Sequence, residues 1–291
     1  MQAVPQPDYQ VSLQRDGAEI ARCWFSPSLR RPFIFPVIGP AGRSLTRMGH
    51  PHDPETHSHH NSVWISHSDV NGINFWTDSG GTGRVIHRRI ERFEDGMEDT
   101  AMLSVNAWTS DAGAVLLNER RLVTARRLPE GEWWLLIDLA LEPAGQDVVF
   151  GKTPFGLIGV RMAKTIGVDD GGGTIRNSEG AADEPQVFWK RARWVDYAGP
   201  VTPQASEGIT LMDHPANPNH PAAFHVRRDG WMGCSLTLDA ARTVRKGETL
   251  RLRYGVYVHA GIPAAAAIDR RWAEFARMAL PELAAGHARR P

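Results

Sequence analysis

Cysteine is almost missing from this chain of 291 residues: only Cys23 and Cys234 are present, too few for a disulfide framework or a cysteine-based zinc site. Both lie in strand-like apolar stretches, where a buried free thiol is expected. Excess charge of either sign is missing as well. Lys+Arg and Asp+Glu each number 33, so no basic field favours nucleic acid. The arginine pairs Arg88-Arg89, Arg120-Arg121 and Arg126-Arg127 sit in alternating sequence and read as solvated strand faces. No apolar run approaches the roughly 18–20 residues of a membrane span. The start, MQAVPQPDYQ, has neither a basic nor an apolar leader segment. A cytoplasmic protein with no membrane partner is the expectation. HExxH and Gly-x-Ser-x-Gly are absent, and the glycines at 171–173 lack the Gly-Lys-Ser/Thr of a phosphate loop.

What is present is histidine, concentrated. Six of the 12 histidines (His50, His52, His57, His59, His60 and His67) fall between Gly49 and Trp76, with Asp53, Glu55 and Asp69. In an extended chain alternate side chains share a face, so His57 and His59 would point one way and His60 the other. Paired imidazoles can hold a metal or move protons on a bound substrate. His57, His59 and His67 are the candidate metal ligands, for a divalent ion. The His57-x-His59 pair is similar to the metal strand of cupins, but Val63-Trp64-Ile65 stands where their glutamate is expected. For a single histidine a plain surface loop would be the better reading; the clustering favours a site.

The remainder reads as strands. Tyr9 to Ser26 forms a hairpin about Arg15-Asp16-Gly17, and Arg84–Phe93, Thr100–Thr109, Ala114–Ala125 and Glu132–Leu141 form an antiparallel meander with short turns. Trp133-Trp134 and Leu135-Leu136 put bulk on both faces, so the sheet is covered on each side. Ile268, Trp272, Phe275 and Ala279 recur at helical spacing. The expectation is one domain over 1–291: an all-β antiparallel sandwich with a core over about 8–260, a C-terminal helix over about 263–280 and a frayed end from Gly286 to Pro291.

Further candidates lie outside the histidine segment. Lys152 could face an oxyanion, or be a solvated loop lysine. Glu179, between turn formers, suits a general base. Arg193 and Trp194, with Asp196 and Tyr197, combine stacking with hydrogen bonding, as a sugar site would and as a packed sheet also does. Asp213-His214-Pro215-x-Asn217-Pro218-x-His220, with His225 beyond, brings more imidazoles near an acid on a stiff loop.

His57-Ser58-His59-His60, Val63-Trp64-Ile65-Ser66-His67 and Asp69-Val70-Asn71-Gly72-Ile73-Asn74-Phe75-Trp76 together resemble the signature of a bacterial family called PmoA-like. Asn177-Ser178-Glu179-Gly180, Arg193 to Gly199, and Asp213 to Pro218 agree with it, and the resemblance spans about residues 10 to 260. Asn61 departs from it, standing where the family often carries arginine, and Trp231-Met232-Gly233-Cys234 differs in detail. The oxygenase in the label is not to be taken literally, since methane monooxygenase subunits need membrane helices. The resemblance implies a β-supersandwich similar to galactose mutarotases and a setting among sugar-catabolic enzymes.

These observations lead to an expectation: an enzyme acting on a sugar or keto-sugar by acid/base or metal-assisted chemistry (elimination, hydration, hydrolysis or epimerisation). His59, His60, Glu179, Lys152 and Asp213 are the catalytic candidates. Trp64, His67, Trp76, Arg161, Arg193, Trp194, His214 and His225 are the substrate-binding ones. A non-catalytic carbohydrate-binding domain is the alternative, and a histidine-ligated non-haem oxygenase a weaker one. Exposed sheet edges leave room for a homodimer.

Overall fold

The structure, a computed structural model, describes residues 1–50, 52–53 and 55–283; the end from Gly286 lies outside them. Two large antiparallel sheets pack face to face. The first has nine strands, in the order Gln2–Gln6, Gln10–Arg15, Ala18–Trp24, Phe33–Val37, Val63–His67, Thr153–Arg161, Trp231–Thr237, Ala223–Arg227 and Lys190–Arg191. The second has eight: Thr174–Asn177, Trp194–Thr202, Ala205–Asp213, Leu250–Ala260, Trp133–Pro143, Val115–Arg127, Asp99–Thr109 and Arg84–Asp95. The expected meander is the last four strands of the second sheet, each within a few residues of its expected limits. The expected all-β sandwich is what forms.

Strand alternation divides the side chains cleanly. In Trp133–Pro143, Trp133, Leu135 and Ile137 enter the core between the sheets, while Trp134 and Leu136 turn to the opposite face. There they meet Ile268 and Phe275 of the C-terminal helix, Ala265–Arg277. The helix spacing of apolar residues is thus explained by one docked face. The nine-stranded sheet divides in the same way. Val63 and Ile65 face the core, and Trp64 joins Phe33, Trp76 and Trp231 in a separate apolar cluster on the outer face. Both cysteines are buried free thiols, and burial pushes Cys23 up to about 12. Among the described residues no helix is long and apolar enough to cross a membrane.

Candidate active site

The outer face of the nine-stranded sheet carries a row of residues in direct register across four strands: Trp64 opposite Gly159, Gly159 opposite Gly233, and Gly233 opposite His225. The two glycines leave a trough that indoles fill. A Cβ on Gly159 would come within 2.5 Å of the Trp64 ring, and one on Gly233 within 2.5 Å of the Trp231 ring. A second row sets Arg161 opposite Trp231 and Trp231 opposite Arg227. Above this floor opens a cavity of about 420 Å³, lined among others by His57, His59, His60, Trp76, Phe155, His225, Arg227, Asp229 and Trp231. That volume suits a small polar molecule.

The histidine wall is not an extended strand. Residues 55–59 form turns, and the His60 N–H donates to the His57 carbonyl at 3.1 Å. The expected parity of His57, His59 and His60 therefore fails, and all three rings reach the same cavity. Their centroids lie 4.6 Å apart for His59 and His60 and 5.0 Å for His57 and His60. Asp53 holds the turn: its carboxylate accepts from the Thr56 N–H at 3.0 Å and faces His57 Nδ1 at 2.9 Å. A carboxylate only accepts, so His57 Nδ1 carries a proton and points it at Asp53.

Arg31, fully buried, locks this wall to the next. Its guanidinium donates to Asn61 Oδ1 at 2.6 Å, to the Trp76 carbonyl at 2.8 Å and to Asp78 at 2.8 Å. Asn61, the departure from the resembled signature, is thus the side chain that receives Arg31. On the far side Asp229 bridges two donors, the Arg161 guanidinium at 2.8 Å and His50 Nε2 at 2.7 Å. Burial opposes ionisation of Asp229, but the Arg161 charge and the two hydrogen bonds outweigh it and hold the carboxyl below its usual range. His50 Nδ1 accepts from the His52 N–H at 3.1 Å, so that ring is held neutral in a single tautomer.

Three of the cavity imidazoles, His59, His60 and His225, are held in the neutral form. Burial, aided by the Arg31 charge, pushes His59 down to about 4, and burial pushes His225 down to about 3. Burial likewise drives His60 far below its usual value, with His59 and Arg161 adding to the effect. His59 Nδ1, His60 Nδ1 and both ring nitrogens of His225 are buried with no protein partner. Buried polar atoms are ordinarily bonded, and here four imidazole nitrogens around one cavity are not.

Several expected site residues lie elsewhere. His67 follows strand parity into the core. Its Nε2 meets Thr237 Oγ1 at 2.8 Å and its Nδ1 accepts from the Asp69 N–H at 3.1 Å, so neither nitrogen is free for metal or substrate. The expected ligand set of His57, His59 and His67 is therefore not assembled. Among the described residues no three His, Cys, Asp or Glu side chains are gathered closely enough to hold a metal ion. Lys152 is exposed and outside the cavity. Trp194 is buried beneath the C-terminal helix, its Nε1 donating to Asp269 at 2.9 Å, and Arg193 pairs with Asp269 at 3.0 Å over the Trp272 ring. Glu179, exposed, sits 4.0 Å from Arg193 in that same group. Asp213 is saturated by Asn217, His220 and the Ala222 N–H, at 2.8, 2.8 and 2.9 Å. His214 packs edge-on against Phe275, centroids 5.1 Å apart. Arg193, Trp194, Asp213 and His214 thus hold the helix and the proline-rich loop, and Glu179 lies exposed beside them.

The cavity also contains residues that sequence reasoning passed over: Phe155, Arg227, Asp229 and Trp231. Arg227-Arg228-Asp229-Gly230 looks like an ordinary hairpin turn, and only the long-range pairing with Arg161 shows its use. Of the expected residues, His57, His59, His60, Trp76 and His225 line the cavity, Trp64 stacks beneath His60 with centroids 5.5 Å apart, and Arg161 lies behind Asp229.

Fold and site define an all-β sandwich with a histidine- and tryptophan-lined cleft on the outer face of one sheet. The chain belongs to a family of unknown function, DUF6807, whose model matches residues 10–273. No curated protein matches the chain.

Proposed function

We propose that the protein is a carbohydrate-processing enzyme acting on a sugar or keto-sugar by acid/base chemistry in the outer cleft. One observation carries the reading: neutral, buried imidazoles with unpartnered nitrogens converge on a cavity floored by tryptophan. A neutral imidazole accepts a proton from a C–H beside a carbonyl, or from a hydroxyl, and a second one donates its N–H to the oxygen that gains charge. His59, the less strongly depressed of the pair, is assigned the first role and His60 the second. Trp76 and Trp231 offer flat apolar surfaces to the C–H face of a sugar ring. The sugar-catabolic setting that the resemblance to the PmoA-like family implies agrees with this reading.

The experiment is proton exchange: keto-sugars are incubated with the protein in deuterated water and followed by NMR, beside His60→Gln and His59→Ala. Enzyme-dependent deuterium incorporation that drops about 10²–10⁴-fold in His59→Ala is the expected result. The reading fails if no sugar binds and neither variant alters any turnover. Among the described residues Asp229 is the only carboxylate lining the cavity, and Arg161 and His50 already engage it. That favours, as a second reading, a binding module without chemistry. It predicts saturable sugar binding with no exchange.

A further inference from the structure

The outer-face row does not stop at His225. The next and last strand of the sheet, Lys190–Arg191, is preceded by Trp189, whose N–H donates to the Phe224 carbonyl at 2.8 Å beside His225. Trp189 is 49% exposed and has a left-handed backbone, φ 57°, a conformation that bulky residues rarely adopt. Its ring stacks on Phe188 with centroids 4.5 Å apart and planes 23° apart, and Phe188 meets His225 at 4.9 Å. Arg227 closes the group, its guanidinium 4.3 Å above the Phe188 ring while its NH1 is anchored by Glu184 at 2.7 Å. His225 is therefore a hinge point between two aromatic surfaces: Trp231 inside the cavity, at 4.4 Å, and the Phe188–Trp189 stack at its rim.

We infer that this rim is a second subsite, and that the substrate is a two-ring glycoside, a disaccharide or an aryl glycoside, rather than a single sugar. The inference rests on the carbohydrate reading of the cleft. One ring occupies the cavity over Trp76 and Trp231. The second lies on the face of Trp189, with Arg227 beside the linkage as a hydrogen-bond donor and the His225 ring beneath it. An exposed indole in a costly backbone conformation, continuous with a cavity and backed by a parallel ring, has the form of a stacking platform. A cavity designed for one ring has no use for it.

The test compares glucose and galactose with cellobiose, lactose and their phenyl glycosides by calorimetric titration, on the unaltered protein, Trp189→Gly and Trp189→Phe. Glycine suits the left-handed backbone, so the variant removes the ring without adding strain. The expected result is binding of two-ring ligands about tenfold tighter than one-ring ligands, an advantage lost in Trp189→Gly and kept in Trp189→Phe. Equal affinity for one and two rings, or an advantage that survives Trp189→Gly, overturns the second subsite and leaves the cleft reading intact. If no ligand of either size binds, both fall together. Light scattering on the same samples is the last arm: a dimer that dissociates in Trp189→Gly assigns the indole to a contact between copies and overturns the inference.

Discussion

Gly159 and Trp64 face each other across adjacent strands, and the indole occupies the space that any side chain at 159 would need. The floor of the cleft therefore depends on a missing side chain as much as on a present one. Gly159→Ala is expected to force the indole upward into the cavity and to destabilise the fold by about 1–3 kcal/mol, as overpacking does. Urea unfolding gives the loss, and a shift in tryptophan emission reports the displaced ring.

Arg31 is bonded to both the histidine wall and the Trp76 loop. Arg31→Lys keeps the charge but cannot serve Asn61, the Trp76 carbonyl and Asp78 in one plane. A loss of about 3–5 kcal/mol is expected, the range for breaking a buried charged network. Proteolysis should then cut first within residues 55–61. A variant as stable and as resistant as the parent would show the clamp to be incidental.

Asp229→Asn leaves Arg161, which has no exposed surface, without a counter-charge. A stability loss of about 3–5 kcal/mol is expected, whereas His50→Gln, which spares the Arg161 contact, should cost about 1 kcal/mol. Comparable effects from the two variants would place the weight of the bridge on His50.

Acid should weaken the protein before most carboxylates protonate. Burial holds His59, His67 and His214 near 4 and His225 near 3, against 6.5 for an ordinary imidazole. Between these values the unfolded chain binds protons that the folded one refuses. Stability is thus complete above about 6.5 and is lost as pH falls towards 4 and then 3, by up to about 3 kcal/mol for His59, His67 and His214 and about 5 kcal/mol for His225. Denaturation midpoints at pH 7.5, 5.5 and 4.5 test the slope, and His67→Gln should flatten it. The same shift lets His59 and His60 stay neutral in mild acid, so the acid limb of any turnover should lie well below pH 6.5.

Glu179→Ala and Lys152→Ala should leave sugar binding and turnover unchanged, because neither side chain reaches the cavity. Glu179→Ala tests this most sharply: a loss of activity at constant helix content would bring the Arg193 group into the site.

The strands were legible wherever two periodic faces are both apolar, as along Trp133–Pro143, and the helix was legible from Ile268, Trp272 and Phe275. Part of the site was legible too, since clustered histidines sit close in space when the chain between them is short. What failed was orientation. His67 obeys strand parity and enters the core, while His59 and His60 lie on a turn where parity has no meaning. Chemistry-bearing residues such as Asp213, Arg193 and Trp194 look the same in sequence whether they serve a substrate or a docked helix. Asp229 and Trp231 become visible only through partners more than sixty residues away, Arg161 and Trp76.

The pleat of the nine-stranded sheet puts Val63, Ile65 and Met232 on one side and Trp64, Trp231 and His225 on the other. On the proposed reading, recognition and folding thus share a backbone but almost no side chains. Exchanges at Trp76, Phe155, His225 or Trp189 can retune ligand choice while the interior stays as it is. The cleft is a writable surface on a fixed frame, suited to libraries in which several lining positions vary at once.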